Sequence, residues 1–251
     1  MYELLFPTFT FPLNVYAQAL LLEEGQVQYL HYGLWDNQTT TIAQAQQAAT
    51  ELLLAHLPPP PGRLLEIGIG LGYTARQLLG RAYDYTGITP DNHQILYAQR
   101  QHREINPHFV QSFFEKYPTP TEPHLAFDLI VFQESAQYIR PDILHARCHA
   151  LLKPGGHVVI MDELAAPFAQ NTAALLRNSG FEIDCELDIT SAALPSVTYL
   201  HQTIARHAKS ICSDLNLATA QLAQLLTILR QREADYQQGR YFYKLLRLQK
   251  Q

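Results

Sequence analysis

The chain reads as an α/β protein built on a mostly parallel sheet, with a helical segment inserted before its last strand. Three observations carry that reading. Apolar, strand-like runs alternate with helix-length segments from Arg63 to about residue 190. The first of these runs breaks into glycine at every second position, at Gly68, Gly70 and Gly72. A long stretch from Ser191 to Gly239 then turns helical in pattern before a final aromatic run, Arg240 to Leu248.

In chain order, Asn14 to Gly25 has a helical pattern. Thr41 to Leu57 is rich in Ala, Gln and Leu with helical periodicity and stops at the stiff connector Pro58-Pro59-Pro60-Pro61. Strands follow at Arg63–Ile67, Asp84–Ile88, His108–Gln111, Phe127–Phe132 and His157–Met161, with helices between most of them, the first over Tyr73–Leu79. Lys153-Pro154-Gly155-Gly156 reads as a turn leading into the fifth strand, Pro167–Asn178 as a helix and Phe181–Ile189 as a sixth strand. A single domain, 1–251, is expected: N-terminal helices and lid (1–57), a core (63–190), a helical cap (191–239) and the last strand (240–248).

Composition narrows the function. A chain of 251 residues buries a substantial core. Its net charge of −5 argues against nucleic acid. No apolar run is long enough to span a membrane. The apolar N-terminus lacks a basic region and a small-residue cleavage site, and prolines 7 and 12 interrupt it, so no signal peptide is expected. Cys148, Cys185 and Cys212 are odd in number and far apart, which suits reduced thiols in a cytoplasm. His145 and His149 share a helix face with Cys148 between them, but no third ligand comes at a suitable spacing, and no metal is expected.

The glycine run is the most informative segment. Leu64-Leu65-Glu66-Ile67-Gly68-Ile69-Gly70-Leu71-Gly72 is an apolar strand ending in a carboxylate, followed by a backbone that needs positive φ and close approach. A dinucleotide fingerprint requires its third glycine one residue later, where Tyr73 stands. A phosphate-binding P-loop requires a following Lys and Ser or Thr, and neither follows. The pattern E-x-G-x-G-x-G suits a ligand that carries an ammonium and a carboxylate.

At these residues the chain resembles the class I S-adenosylmethionine-dependent methyltransferases. The resemblance implies a Rossmann-like sheet of seven strands with helices on both faces and strands six and seven as an antiparallel edge. It also implies S-adenosyl-L-methionine as cofactor, held by Glu66, Gly68, Gly70 and Gly72, and a cap over the substrate pocket from the inserted helices, which would otherwise merely pad the sheet. Lys153–Gly156 matches a turn common in the class. The acid that usually ends the second strand is replaced by Thr89. Gly87-Ile88-Thr89, with Gln94 five residues on, resembles the branch that contains cyclopropane and mycolic-acid synthases and the tocopherol-type and glycine/sarcosine-type methyltransferases. In that branch Thr89 and Gln94 take over ribose contacts, while Asp91 reads as a helix N-cap.

Further segments add to the same resemblance. His31-Tyr32-Gly33-Leu34-Trp35 resembles the branch's H-x-G-x-W segment and runs on through Thr39–Gln46, similar to its T-T-T-L-E-E-A-Q. Tyr32 and Trp35 would face a sulfonium by cation–π attraction, or else close an ordinary core. Phe113 and Phe114 follow the third strand, where the family touches adenine, and equally suit a core. Gln133 ends the fourth strand at the cofactor, and Glu134-Ser135 resembles the E-S pair of tocopherol-type and natural-product methyltransferases. The cyclopropane synthases carry a Glu-His pair three positions on, where this chain has Gln137-Tyr138, which counts against lipid cyclopropanation.

Glu134 is the expected catalytic base or substrate orienter, or else only a hydrogen-bond contact to the cofactor's ammonium or the backbone. Ser135, Tyr138, Asp162 and Glu163 are expected on the substrate side. The expected reaction is in-line methyl transfer to a small, partly apolar acceptor, such as a natural product, an amine or a lipid-like molecule. Two alternatives stay open: a fatty-acid cyclopropane-type synthase, and an inactive cofactor-binding partner subunit, which the lost acids at Thr89 and Ser112 would suit. No (D/N/S)-P-P-(Y/F) motif occurs, which argues against DNA methylation. The acceptor atom and the oligomeric state are left open.

Overall fold

A computed structural model of the chain describes residues 6–169 and 178–251. The expected helix Pro167–Asn178 falls mostly outside the described residues; 166–169 are helical. Seven strands form one sheet: β1 Arg63–Ile67, β2 Asp84–Thr89, β3 Phe109–Gln111, β4 Phe127–Gln133, β5 Leu152–Ala165, β6 Phe181–Asp188 and β7 Tyr241–Lys250. Their order is β3-β2-β1-β4-β5-β7-β6. The β1–β2, β1–β4, β2–β3 and β4–β5 pairs are parallel, and β6–β7 is antiparallel. This is the Rossmann-like architecture expected from the sequence. Strand order reverses between β1 and β4, so their carboxyl ends lie side by side, where open α/β sheets hold ligands.

The near-continuous apolar runs of β1 and β4 follow from burial on both faces. Leu64 to Ile67 are all buried, and only Arg63 is partly exposed. Leu65, Ile67, Ile130, Phe132, Val158 and Ile160 pack in one cluster with Leu144, Cys148 and Leu151. The last three lie on α5 (Pro141–Leu151). Helices α3 (Tyr73–Leu79) and α4 (Asn92–Gln101) follow β1 and β2. Asp91 caps α4 by accepting from the His93 N–H at 2.9 Å.

Lys153–Gly156 differs from expectation. β5 begins at Leu152, ahead of the expected turn, because Leu152 already pairs with Phe127 while His157 pairs with Leu129. The four residues between them are an irregularity inside one long strand, with Gly155 at φ +73. Lys153 Nζ lies 2.8 Å from Asp128, the residue facing the bulge, and Asp128 also accepts from the Arg63 N–H at 2.8 Å. The lysine ammonium holds the Asp128 carboxyl below the usual carboxylate range, against the effect of its burial.

The chain divides into two compact units, 50–189 with 242–251, and 1–49 with 190–241. The first contains the sheet. The boundary near the N-terminus falls inside α2 (Ile42–Ala55), so prolines 58–61 lie within the sheet unit instead of between units. The second unit is helical: α1 (Leu13–Glu24), α6 (Thr190–Arg206), α7 (Ala208–Asp214) and α8 (Thr219–Gln237). Val15 and Ala19 pack there on Leu200, Ile204, Ile211, Leu222, Leu225 and Leu229. Among the described residues no helix is long and apolar enough to cross a membrane.

Candidate active site

The loop after β1 takes the conformation that its glycines allow. Gly68, Gly70 and Gly72 have φ of +82, +50 and +82. They serve different ends. A Cβ on Gly68 would stand 2.8 Å from Ser135 Cβ, and one on Gly72 2.8 Å from Ala98 Cβ. Gly68 thus lets the chain after β4 pack close, and Gly72 lets α4 approach. A Cβ on Gly70 would meet nothing within 4 Å, so this glycine faces open space. The loop is therefore braced at both ends and open in the middle.

Glu66 sits in β1 between Gly87 of β2 and Val131 of β4, only 2% exposed. The Tyr85 hydroxyl donates to its Oε2. A Cβ on Gly87 would lie 2.2 Å from that hydroxyl, so the glycine in Gly87-Ile88-Thr89 is what lets the tyrosine cross. Burial pushes Glu66 up to about 7, although the Tyr85 hydrogen bond pulls the other way. At the end of β2, Thr89 Oγ1 donates to Gln94 Oε1 at 2.9 Å, both residues buried. Ser112 N–H donates to the Thr89 carbonyl at 3.0 Å, which brings the end of β3 alongside. The two phenylalanines there part ways. Phe114 is 3% exposed and meets Phe132 edge-on in the core, whereas Phe113 is 54% exposed.

The exit of β4 is held on every side. Gln133 accepts from Thr74 Oγ1 at 3.1 Å and donates to Thr50 Oγ1 at 3.3 Å. Glu134 has φ +54, a left-handed conformation that costs a non-glycine residue about 1–2 kcal/mol. Its N–H donates to the Met161 carbonyl at 2.9 Å, and its Oε1 accepts from the Tyr243 hydroxyl at 2.7 Å. Ser135 Oγ donates to the Ile67 carbonyl at 2.5 Å and so ties this exit to the end of β1. Asp162, fully buried, accepts from the N–H groups of Ala136 (2.7 Å), Gln137 (3.1 Å) and Glu163 (2.8 Å). Burial pushes it up to about 7, against the pull of those hydrogen bonds. Its oxygens are engaged in shaping the loop, a different use from the substrate contact expected of it. Glu163 is buried beside it, and Tyr138 is 68% exposed.

Tyr32 and Trp35 belong to the helical unit. Trp35 Nε1 and the Gly33 N–H both donate to Ser196 Oγ at 2.8 Å, and Ser196 donates to the Gly33 carbonyl at 3.0 Å. Gly33 is required here, since a Cβ would lie 2.3 Å from Ala45 Cβ. The T-T-T-x-x-Q segment is a capping box: Gln44 N–H donates to Thr41 Oγ1 at 3.2 Å while Gln44 Oε1 accepts from the Thr40 and Thr41 N–H groups. Tyr16, Leu20, Tyr32, Ile42, Tyr199 and Leu200 line an apolar recess within this unit, together with His31. Burial holds His31 down to about 4, so its ring is neutral. His145 stacks on Phe168 and His149 meets Phe181 edge-on, so both rings are packed on aromatics. Burial raises the Cys148 thiol well above its ordinary value and makes it a poor nucleophile.

Sequence reasoning missed Tyr85, Tyr243 and Ser196. Tyr85 had a signal, because period-two alternation puts it on the same face as Gly87, beside Glu66. Tyr243 and Ser196 meet partners more than a hundred residues away, and no local pattern points to them.

A family model described as a methyltransferase domain matches residues 41–203. The chain belongs to the class I S-adenosylmethionine-dependent methyltransferases. It is 31% identical over 157 residues to the 27-O-demethylrifamycin SV methyltransferase of Amycolatopsis mediterranei (strain S699), a match over 60% of this chain. It spans 57% of that relative's length. Among solved structures, the 4+2 cyclase SpnF superposes with a TM-score of 0.78 at 22% identity, over 94% of this chain and 92% of that one. The mycolic acid cyclopropane synthase CmaA1, complexed with S-adenosylhomocysteine, gives 0.74 at 15% identity, over 99% and 94%. At these identities the structures share the fold. The family cofactor is S-adenosylmethionine, and the residues fit it: a buried acid for an ammonium at Glu66, and an open cradle at Gly70.

Proposed function

We propose that this methyltransferase acts on a hydroxyl group of a mid-sized, partly apolar natural product, with Glu134 as general base. One observation carries the reading. At the adjoining ends of β1 and β4 the open glycine loop with its buried acid stands next to a carboxylate fixed in an uncommon backbone conformation. Ser135 links the two directly through its bond to the Ile67 carbonyl.

S-adenosylmethionine, when bound, supplies an electrophilic methyl group and a neutral thioether leaving group. Glu66 balances the positive charge of the amino-acid end, and the Gly70 backbone admits that end closely. Thr89 and Gln94 offer hydroxyl and amide groups to the ribose, and the exposed ring of Phe113 offers an apolar face to adenine. Glu134 orients the acceptor hydroxyl and takes its proton as the oxygen gains the methyl group. The relative's name places its methyl group on an oxygen of a natural product, which favours a hydroxyl acceptor. The CmaA1 likeness is one of fold, and Gln137-Tyr138 departs from the synthase pattern, so cyclopropanation is not favoured.

Glu134→Gln tests the reading. Turnover is expected to fall at least ~100-fold with S-adenosylhomocysteine affinity unchanged. Turnover within a few-fold of the parent removes the base role.

A further inference from the structure

We propose that Tyr243 is a positioning residue of the reaction: its hydroxyl holds the Glu134 carboxylate and helps set the pH at which that carboxylate accepts a proton. The inference rests on Glu134 being the base, and the geometry adds the rest. The backbone of Glu134 is fixed by its bond to Met161 and by the Ser135 and Asp162 anchors that follow. None of these restrains the side chain beyond Cβ. Tyr243 does, through a 2.7 Å hydrogen bond to Oε1.

The hydroxyl comes from a densely buried strand. Tyr243 is fully buried in β7, the strand on the far side of β5 from β4. Its carbonyl accepts from the Ile189 N–H at 3.0 Å, and Leu245 and Leu246 beside it are also fully buried. Glu134 therefore lies across the end of β5, its backbone bonded to β5 and its side chain to β7. The other ionisable groups on these strands are engaged. Asp162 holds backbone N–H groups, Glu163 is buried next to it, and the Lys244 ammonium pairs with Glu186. A hydrogen-bond donor on the charged form of a carboxylate favours that form. Tyr243 thus keeps Glu134 ionised, and so able to act as base, to lower pH than a bare carboxylate in the same place.

Tyr243→Phe keeps the ring and removes the donor. The pH profile of kcat should shift its acidic limb upward by about one pH unit, as expected for loss of a hydrogen bond to a charged group. Turnover on that limb should fall about tenfold, with the KM for S-adenosylmethionine unchanged. Incorporation of 3-fluorotyrosine at 243, a more acidic phenol and a stronger donor, should move the limb the opposite way. Opposed shifts are not the signature of a packing role. They also do not depend on the Phe variant being as stable as the parent. An unshifted limb in both variants, with Glu134→Gln inactive, overturns the role of Tyr243 and leaves Glu134 as base. Near-normal turnover in Glu134→Gln overturns both.

Discussion

Glu66→Gln should make the unliganded protein more stable at pH 8 while weakening its hold on the cofactor. Burial raises the Glu66 carboxyl from 4.5 to about 7. A raised acid binds its proton more tightly in the folded chain than in the unfolded one. Its favourable contribution is therefore complete below pH 4.5 and is lost as pH rises through 7. The difference of 7 − 4.5 = 2.5 corresponds to about 3 kcal/mol at 1.36 kcal/mol per pH unit. Gln removes that loss but brings an amide N–H group that needs a partner, at about 1 kcal/mol. The net gain at pH 8 is about 2 kcal/mol, or ~4–8 °C in melting temperature for a chain of this size. Near pH 4.5 that gain is absent and only the amide penalty remains, so the variant should melt ~2–4 °C below the parent. Calorimetric titration at pH 8 should show the variant binding S-adenosylhomocysteine ~10–100-fold more weakly, the worth of a charge-assisted hydrogen bond to an ammonium. A stability difference that is the same at both pH values would refute the burial argument, and unchanged affinity would refute the ammonium site.

Two of the loop glycines should separate by effect. Gly70→Ala carries the positive-φ strain, ~1–2 kcal/mol, but no clash, so its main consequence is an at least ~10-fold weaker S-adenosylhomocysteine complex by titration. Gly72→Ala adds a 2.8 Å contact with Ala98 to that strain and should cost ~3 kcal/mol or more in urea unfolding. Ser196→Ala leaves the Gly33 N–H and the Trp35 indole N–H without their acceptor and should cost ~2–4 kcal/mol by the same measure.

The sheet was legible because each strand announces itself locally: buried parallel strands are short apolar runs, the antiparallel edge strand β6 alternates apolar and polar residues, and β1, β2, β4 and β6 fall within a residue of the expected bounds. The glycine loop was legible for a related reason. Positive φ is a local demand of the backbone, and glycine meets it without strain at 68, 70 and 72. Lys153–Gly156 was misread as a turn ahead of the strand, since the pairing of Leu152 with Phe127 is non-local. Site chemistry was legible by position and less so by role. Asp162 stands at the sheet edge where expected but turns its oxygens to backbone N–H groups. Of two adjacent phenylalanines, the short turn over Phe114–Lys116 sends Phe114 into the core, a choice that neither residue type encodes. The left-handed Glu134 and its tyrosine arise from strand order, which places β7 beside β5.

The central claim is that the bend after β1 receives the charged amino-acid end of the cofactor. A crystal structure of the protein with S-adenosylhomocysteine reads this directly. The account predicts the ligand's carboxylate and ammonium over Gly70, with the ammonium on the Glu66 side and the sulfur directed toward Glu134. A ligand bound elsewhere on the chain, or one that presents its adenine to the glycines, would contradict it.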